Sequence, residues 1–125
     1  MKRRKIRSLS VSEIGMGCMG FSHGYGQVPD AGYAEEAIRE VFGYGCNFFD
    51  TAEGYGKELY YPGHNEEIVG RAVRGFRNKV VIATKLHIRP EAVEDCGSVY
   101  AAVRRHLERS LKNLQTDYVD LYYLH

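Results

Sequence analysis

The sequence has no tryptophan, and only three cysteines and three prolines among its 125 residues. Cys18, Cys46 and Cys96 are odd in number and widely spaced, with no Cys-x-x-Cys. That pattern argues against a disulfide framework or a zinc site and suits reduced thiols in a cytosol. Cys18 reads as a small buried hydrophobe in preference to a redox centre. An excess of one charge is also missing. Lys and Arg number 17 against 16 Asp and Glu, so no one-signed field invites nucleic acid or a membrane surface. The basic opening Met1-Lys2-Arg3-Arg4-Lys5 is too short and isolated for a nucleic-acid arm, and no apolar run follows it to make a secretory leader. No segment is apolar enough to span a bilayer. His23, His64, His87, His106 and His125 show no metal-ligand spacing, so no metal is expected. With no repeat, low-complexity tract or linker, the expectation is one cytoplasmic domain over residues 1–125.

What is present is an alternation of apolar strands and amphipathic helices. Lys5 to Ile14 reads as a short polar hairpin with Ser8 and Ser10 in its bend. Ile14-Gly15-Met16-Gly17-Cys18-Met19-Gly20 reads as a first buried strand whose glycines allow close approach of a neighbour or a ligand. Gly15-x-Gly17-x-x-Gly20 has dinucleotide-binding spacing, but Phe21 to Pro29 reads as a long loop where that motif requires a helix. Asp30 caps a helix with Ala34, Ala37, Ile38, Val41 and Phe42 on one stripe, ended by Gly43 and Gly45. Cys46 to Asp50 is a second strand, and Thr51 to His64 a loop. Asn65 caps a second helix, with Glu66 and Glu67 at its positive end and Arg71, Arg74 and Arg77 towards its other end. Ile68, Val69, Ala72 and Val73 form its buried face. Val80 to Lys85 is a third strand, Leu86 to Gly97 a loop, and Ser98 starts a third helix with Val99, Val103, Leu107, Leu111 and Leu114 along one side. Tyr118 to His125 is a fourth strand. This order predicts right-handed crossovers and an α/β fold with a parallel sheet.

In such a sheet all strands end on one edge, which is where the active sites of parallel α/β folds lie. Asp50, Lys85 and His125 stand at three of these ends, and Tyr55 follows on a glycine-flanked loop. Alone, Asp50 reads as a turn cap and Tyr55 as a half-buried aromatic. Together with Lys85 and His125 they read as a proton-handling site. A phenol alone titrates near ~10, and an adjacent ammonium favours the phenolate and makes it a better acid. Asp50 would hold Lys85 charged and aimed, and His125 would donate a hydrogen bond to a carbonyl oxygen. No nucleophilic Ser or Cys is evident, so the attacking species is expected to be a hydride from a bound cofactor.

Four stretches carry a family resemblance: Phe49-Asp50-Thr51-Ala52-Glu53-x-Tyr55-Gly56; Asn65-Glu66-Glu67-x-Val69-Gly70; Lys79-Val80-x-x-Ala83-Thr84-Lys85; and Leu107-x-x-Ser110-Leu111-x-x-Leu114-x-Thr116-Asp117-Tyr118 through His125. In this order they resemble the aldo-keto reductases, and Gly15 to Gly20 resembles that family's first strand. The resemblance implies a (β/α)8 TIM barrel and reduction of aldehyde or ketone carbonyls by NADPH. It implies Tyr55 as acid, Lys85 and Asp50 as its tuners and His125 as substrate orienter. It also implies contacts of Gly20, Phe21 and Asp50 with the nicotinamide end of the cofactor. His23, Tyr25, Tyr60 and Tyr61 would lie over the pocket.

A complete barrel needs eight strands and ~250 residues. The sequence supplies the first four β/α units after an N-terminal hairpin. Two edges are then expected to be open to self-association. Val81, Val119 and Leu121 are expected to face water at ~1.5–3 kcal/mol each. The chain thus reads as the N-terminal half of a reductase, or as a half-barrel that pairs with a copy or a complementary half. A third reading is a non-catalytic fragment or binding module resembling potassium-channel β-subunits. The fold alternative is a small open parallel α/β sheet.

Overall fold

The computed structural model describes all residues, 1–125. It opens with an antiparallel hairpin of β1 (Arg3–Ile6) and β2 (Leu9–Ser12). Arg7 takes a left-handed φ of 52° and the turn closes within two residues, so Ser10 lies in β2 opposite Lys5, not in the bend. The long first strand expected from Ile14 to Gly20 is cut to β3 (Met16–Gly17), followed by a single 3-10 turn at Met19–Phe21. Its glycines explain the shortening, because a side-chain-free backbone gives a strand little to pack.

The rest is strand and helix in alternation. Helix α1 (Ala31–Gly43) is capped by Asp30, whose carboxylate accepts the Tyr33 N–H at 2.9 Å. Then come β4 (Phe48–Asp50), α2 (His64–Val73) and β5 (Val81–Leu86). Residues 90–96, expected as loop, form a short helix, α3 (Pro90–Cys96). Proline in its first turn and Gly97 at φ 86° mark its two ends. Helix α4 (Val99–Leu114) starts at Ser98, whose hydroxyl accepts the Ala101 N–H at 3.0 Å, and β6 (Leu121–Leu124) follows. No helix is long and apolar enough to cross a membrane.

The main sheet runs β3-β4-β5-β6, all parallel, with Gly17, Asp50, Ala83 and Leu121 in one register line. Its strands therefore end on a common edge, and β3 and β6 are its open sides. One face is covered by α1, α2 and α4, and the core lies between them. Ile38, Phe49, Ile68, Val69, Ile82 and Leu114 are its large members. Phe42 and Phe76 stack beside it at 4.1 Å. On the other face Val81 is only 7% exposed and Ala83 is fully buried, contrary to the expectation that Val81 faces water. Phe48 is the register partner of Val81 and flanks it. Val119 packs against the core, again contrary to expectation, Leu121 is partly exposed, and Leu124 is 74% exposed on the β6 edge.

The buried side of α4 also differs from expectation. Val99 is exposed, and Val103, Leu107 and Leu111 line a surface groove. The side turned inward is Ala102, His106, Ser110 and Leu114, spaced by four. Small residues let the two helices approach closely. A Cβ on Gly70 of α2 would stand 2.5 Å from the Leu114 carbonyl oxygen and 2.7 Å from its carbon. Alanine gains roughly 1 kcal/mol over glycine in a helix, but overpacking against backbone costs ~1–3 kcal/mol. Gly70→Ala is therefore expected to lower the urea midpoint of unfolding. An unchanged or higher midpoint would contradict this packing.

Candidate active site

Asp50 ends β4 and Lys85 is the penultimate residue of β5, one strand over. Lys85 is largely withdrawn from water, its side chain 15% exposed. An ammonium has three N–H donors. Here they meet three acceptors: Asp50 Oδ1 at 2.5 Å, the Thr51 carbonyl at 2.7 Å and the Tyr55 hydroxyl at 3.4 Å. The ammonium also lies 5.0 Å from the Tyr55 ring centroid. Tyr55 stands between two imidazoles, with His23 at 5.8 Å and His125 edge-on at 5.7 Å between ring centroids. His125 follows β6, its N–H on the Leu86 carbonyl at 2.8 Å. The three residues predicted from strand ends and Tyr55 of the loop are thus brought together.

The loop that carries Tyr55 is tied down at both ends. Thr51 N–H donates to the Ala83 carbonyl at 2.9 Å and Glu53 N–H to the Lys85 carbonyl at 3.1 Å, which extends the sheet into the loop. Gly63 N–H returns to the Glu53 carbonyl at 2.8 Å. The Glu53 carboxylate accepts the His87 N–H at 2.9 Å and a bond from His106 Nδ1 at 2.8 Å. Glu53 and His106 thereby pin this loop to α4.

Asn65 does something other than the capping expected of it. Gly63, at φ 95°, precedes the helix, and Asn65 is fully buried in its first turn. Its carbonyl accepts the Thr51 hydroxyl at 2.6 Å, and its amide donates to the Cys18 carbonyl and the Ser22 hydroxyl, both at 2.8 Å. One side chain thus joins the ends of β3 and β4 to α2. Glu66 is likewise buried and is no surface charge for the helix end. It accepts from Thr84 Oγ1 at 2.6 Å and Asn113 Nδ2 at 3.0 Å. Arg71 and Arg77 also have specific partners, Glu35 at 2.6 Å and Asp120 at 3.0 Å.

Of the aromatic and imidazole residues expected over the pocket, only His23 lines the cavity beside Tyr55. Tyr60 stacks on His64 at 4.0 Å, and Tyr61 meets the same ring edge-on while donating to Glu67 at 2.6 Å. Burial holds His64 below its ordinary range. Tyr25 is 83% exposed. Tyr60 and Tyr61 are thus held by the first turn of α2 and Tyr25 turns to solvent, so they do not close over Tyr55.

One further group is set by burial. Cys18 is fully buried and its thiol is pushed up to about 12, chiefly by that burial, so it is packing and not a nucleophile. Gly17 has nothing within 4 Å of where a Cβ would stand, and Gly20 meets only the Tyr25 ring, at 3.8 Å. Since Gly17 is the register partner of Asp50, bare backbone and open space adjoin the carboxylate. Phe21 packs its ring against the core.

Residues 13–125 match the model of the aldo/keto reductase family, and the chain belongs to that family. It is 35% identical, over its whole length, to the uncharacterized oxidoreductase YqkF of Bacillus subtilis, of which it covers 39%. Its fold superposes on the holo form of aldo-keto reductase AKR11C1 from Bacillus halodurans with a TM-score of 0.78 at 36% identity, covering all of this chain and 40% of that one. It superposes on an aldo-keto reductase of Klebsiella pneumoniae in complex with NADPH with a TM-score of 0.75 at 34% identity, again with 100% and 40% coverage. The chain thus spans about two fifths of the length of these relatives.

Burial of Glu66 raises its carboxyl above the ordinary 4.5, while the bonds from Thr84 and Asn113 pull it back in part. The native state then holds this proton more tightly than the unfolded chain does. Its contribution to stability is full below 4.5 and is lost as pH rises through the folded value. Relative to Glu66→Gln, the wild-type urea midpoint is expected to fall as pH is raised from about 4 to about 8. Parallel curves for the two proteins would contradict this burial.

Proposed function

We propose that this chain is the N-terminal half of a (β/α)8 reductase and carries its proton-transfer site, which reduces aldehydes or ketones with NADPH. The observation that carries the reading is the placement of Lys85 Nζ, 2.5 Å from the Asp50 carboxylate and 3.4 Å from the Tyr55 hydroxyl. A phenol, a held ammonium and an edge-on imidazole around one open cavity suit protonation of a carbonyl oxygen.

The residues of the chain fit the nicotinamide end of the cofactor. Gly17 leaves the space beside Asp50 free of a side chain, as a flat ring requires. The main chain at Gly20 and Phe21, with the Asp50 carboxylate, would hold that end. When bound, NADPH supplies a hydride to the carbonyl carbon. Tyr55 gives its proton to the carbonyl oxygen, so the C=O π bond is replaced by new C–H and O–H bonds and the C–O single bond remains. Lys85 stabilises the phenolate left behind. Asp50 and the Thr51 carbonyl keep Lys85 charged and aimed. His125 donates to the carbonyl oxygen and sets its direction. Buried free thiols at Cys18 and Cys46 accord with a reducing cytoplasm. The open β6 edge, with Leu124 exposed, is where a complementary half or a second copy would pair.

A positioned general acid contributes typically ~10²–10⁴ in rate. Tyr55→Phe is therefore expected to lower NADPH-dependent aldehyde reduction by about that factor and leave the fold unchanged. Undiminished turnover of the variant, followed as NADPH consumption, would remove Tyr55 from the role.

A further inference from the structure

The cavity over Tyr55 has a charge pattern that carbonyl reduction itself does not require. It measures about 400 Å³, within the range of small-molecule sites. Lys57 and Arg89 stand on its wall beside the imidazoles of His23, His87 and His125, and Glu58 is its one carboxylate. Glu58 is already turned to His23, at 3.9 Å from Nδ1. Lys57 and Arg89 are left without an acidic partner: neither is among the ion pairs of the chain, and neither side chain donates a hydrogen bond within it. Lys85, by contrast, is neutralised by Asp50.

The pattern continues outward. A smaller cavity of about 180 Å³ shares Lys57, His87 and Arg89 with the first and adds Arg109, also unpaired. Its carboxylate, Glu53, is spent on His106 and on the His87 N–H. The wall leading away from Tyr55 is thus positive, and its guanidinium and ammonium donors face open space. A guanidinium fork with an ammonium beside it matches a carboxylate, which accepts two parallel bonds.

We infer that the substrate is an acidic carbonyl compound, its carbonyl oxygen at Tyr55 and its carboxylate held by Lys57 and Arg89. This inference rests on the reductase reading for the carbonyl end, whereas the carboxylate site stands on the cation wall alone. Both cations are exposed, so water screens them and each is worth no more than a surface pair. An acid is accordingly expected to bind about threefold to tenfold more tightly than its neutral ester.

The test separates binding from turnover. 4-(Hydroxymethyl)benzoate and its methyl ester are titrated into the chain, with the His23, His87 and His125 imidazole signals followed by NMR. The acid is expected to shift His87 and to bind more tightly than the ester, with a preference that shrinks as salt is added. In Lys57→Gln/Arg89→Gln, acid and ester are expected to bind alike. Both positions are on the surface, so the variant keeps the fold, which its backbone amide spectrum verifies. No binding of the acid, equal binding of acid and ester by the wild type, or a preference that survives the double substitution overturns the carboxylate site. A second arm measures NADPH oxidation with 4-formylbenzoate and methyl 4-formylbenzoate. Failure to reduce either aldehyde once this half is paired with a complementary half tells against the reductase reading and leaves the binding result to decide the carboxylate site.

Discussion

A charged ammonium largely withdrawn from water has to be compensated, and the way Lys85 is compensated sets the rest of the site. Its partners come from three places: the end of β4, the main chain just after it, and the loop beyond. Breaking a fully buried pair costs ~3–5 kcal/mol, but the Asp50 side chain is 38% exposed, so this pair is worth less. Its value is geometric. Asp50 and the Thr51 carbonyl occupy two donors and leave the third directed at Tyr55. The phenol is thereby the only acceptor of the three with a proton to give.

That arrangement depends on backbone that is fixed well away from it. The common edge of β4, β5 and β6 brings Asp50, Lys85 and His125 within reach of one another. The loop between β4 and α2 would be free to move if it were held only at its ends. Glu53 with His106, and Asn65 with Thr51, Ser22 and the Cys18 carbonyl, anchor it from two sides. These are buried or half-buried polar groups with partners on other elements, the kind that fixes one arrangement among several when every member is satisfied.

Much of this was legible in the sequence, and the reason is register. Apolar strands that each end in an ionisable residue must present those residues together once the sheet is parallel, so Asp50, Lys85 and His125 could be read from strand ends alone. The anchors could not. Asn65 has the chemistry of a cap and stands where a cap is expected, and only the positions of Ser22 and Cys18 some forty residues earlier give it a different task. His106 belongs to a repeat that the sequence does carry: Ala102, His106, Ser110 and Leu114 recur every fourth residue. The larger apolar side chains of α4 pointed to the other face. Helix α3 is hard to read in the sequence because Glu91, Glu94 and Asp95 hide any apolar stripe, although Pro90 and Gly97 mark its ends. Val81 was expected in water because a half-barrel has no opposing wall, yet its neighbours along the sheet cover it.

The most direct measurement of this account concerns the Lys85 ammonium itself. Lysine side chains labelled with nitrogen-15 give sharp ammonium proton signals only where hydrogen bonds and burial slow exchange with water. The account predicts one such signal in the wild-type chain, assigned to Lys85 by its absence in Lys85→Met, and its loss in Asp50→Asn. A Lys85 ammonium that exchanges as fast as those of exposed lysines such as Lys57, or one unaffected by Asp50→Asn, would contradict it.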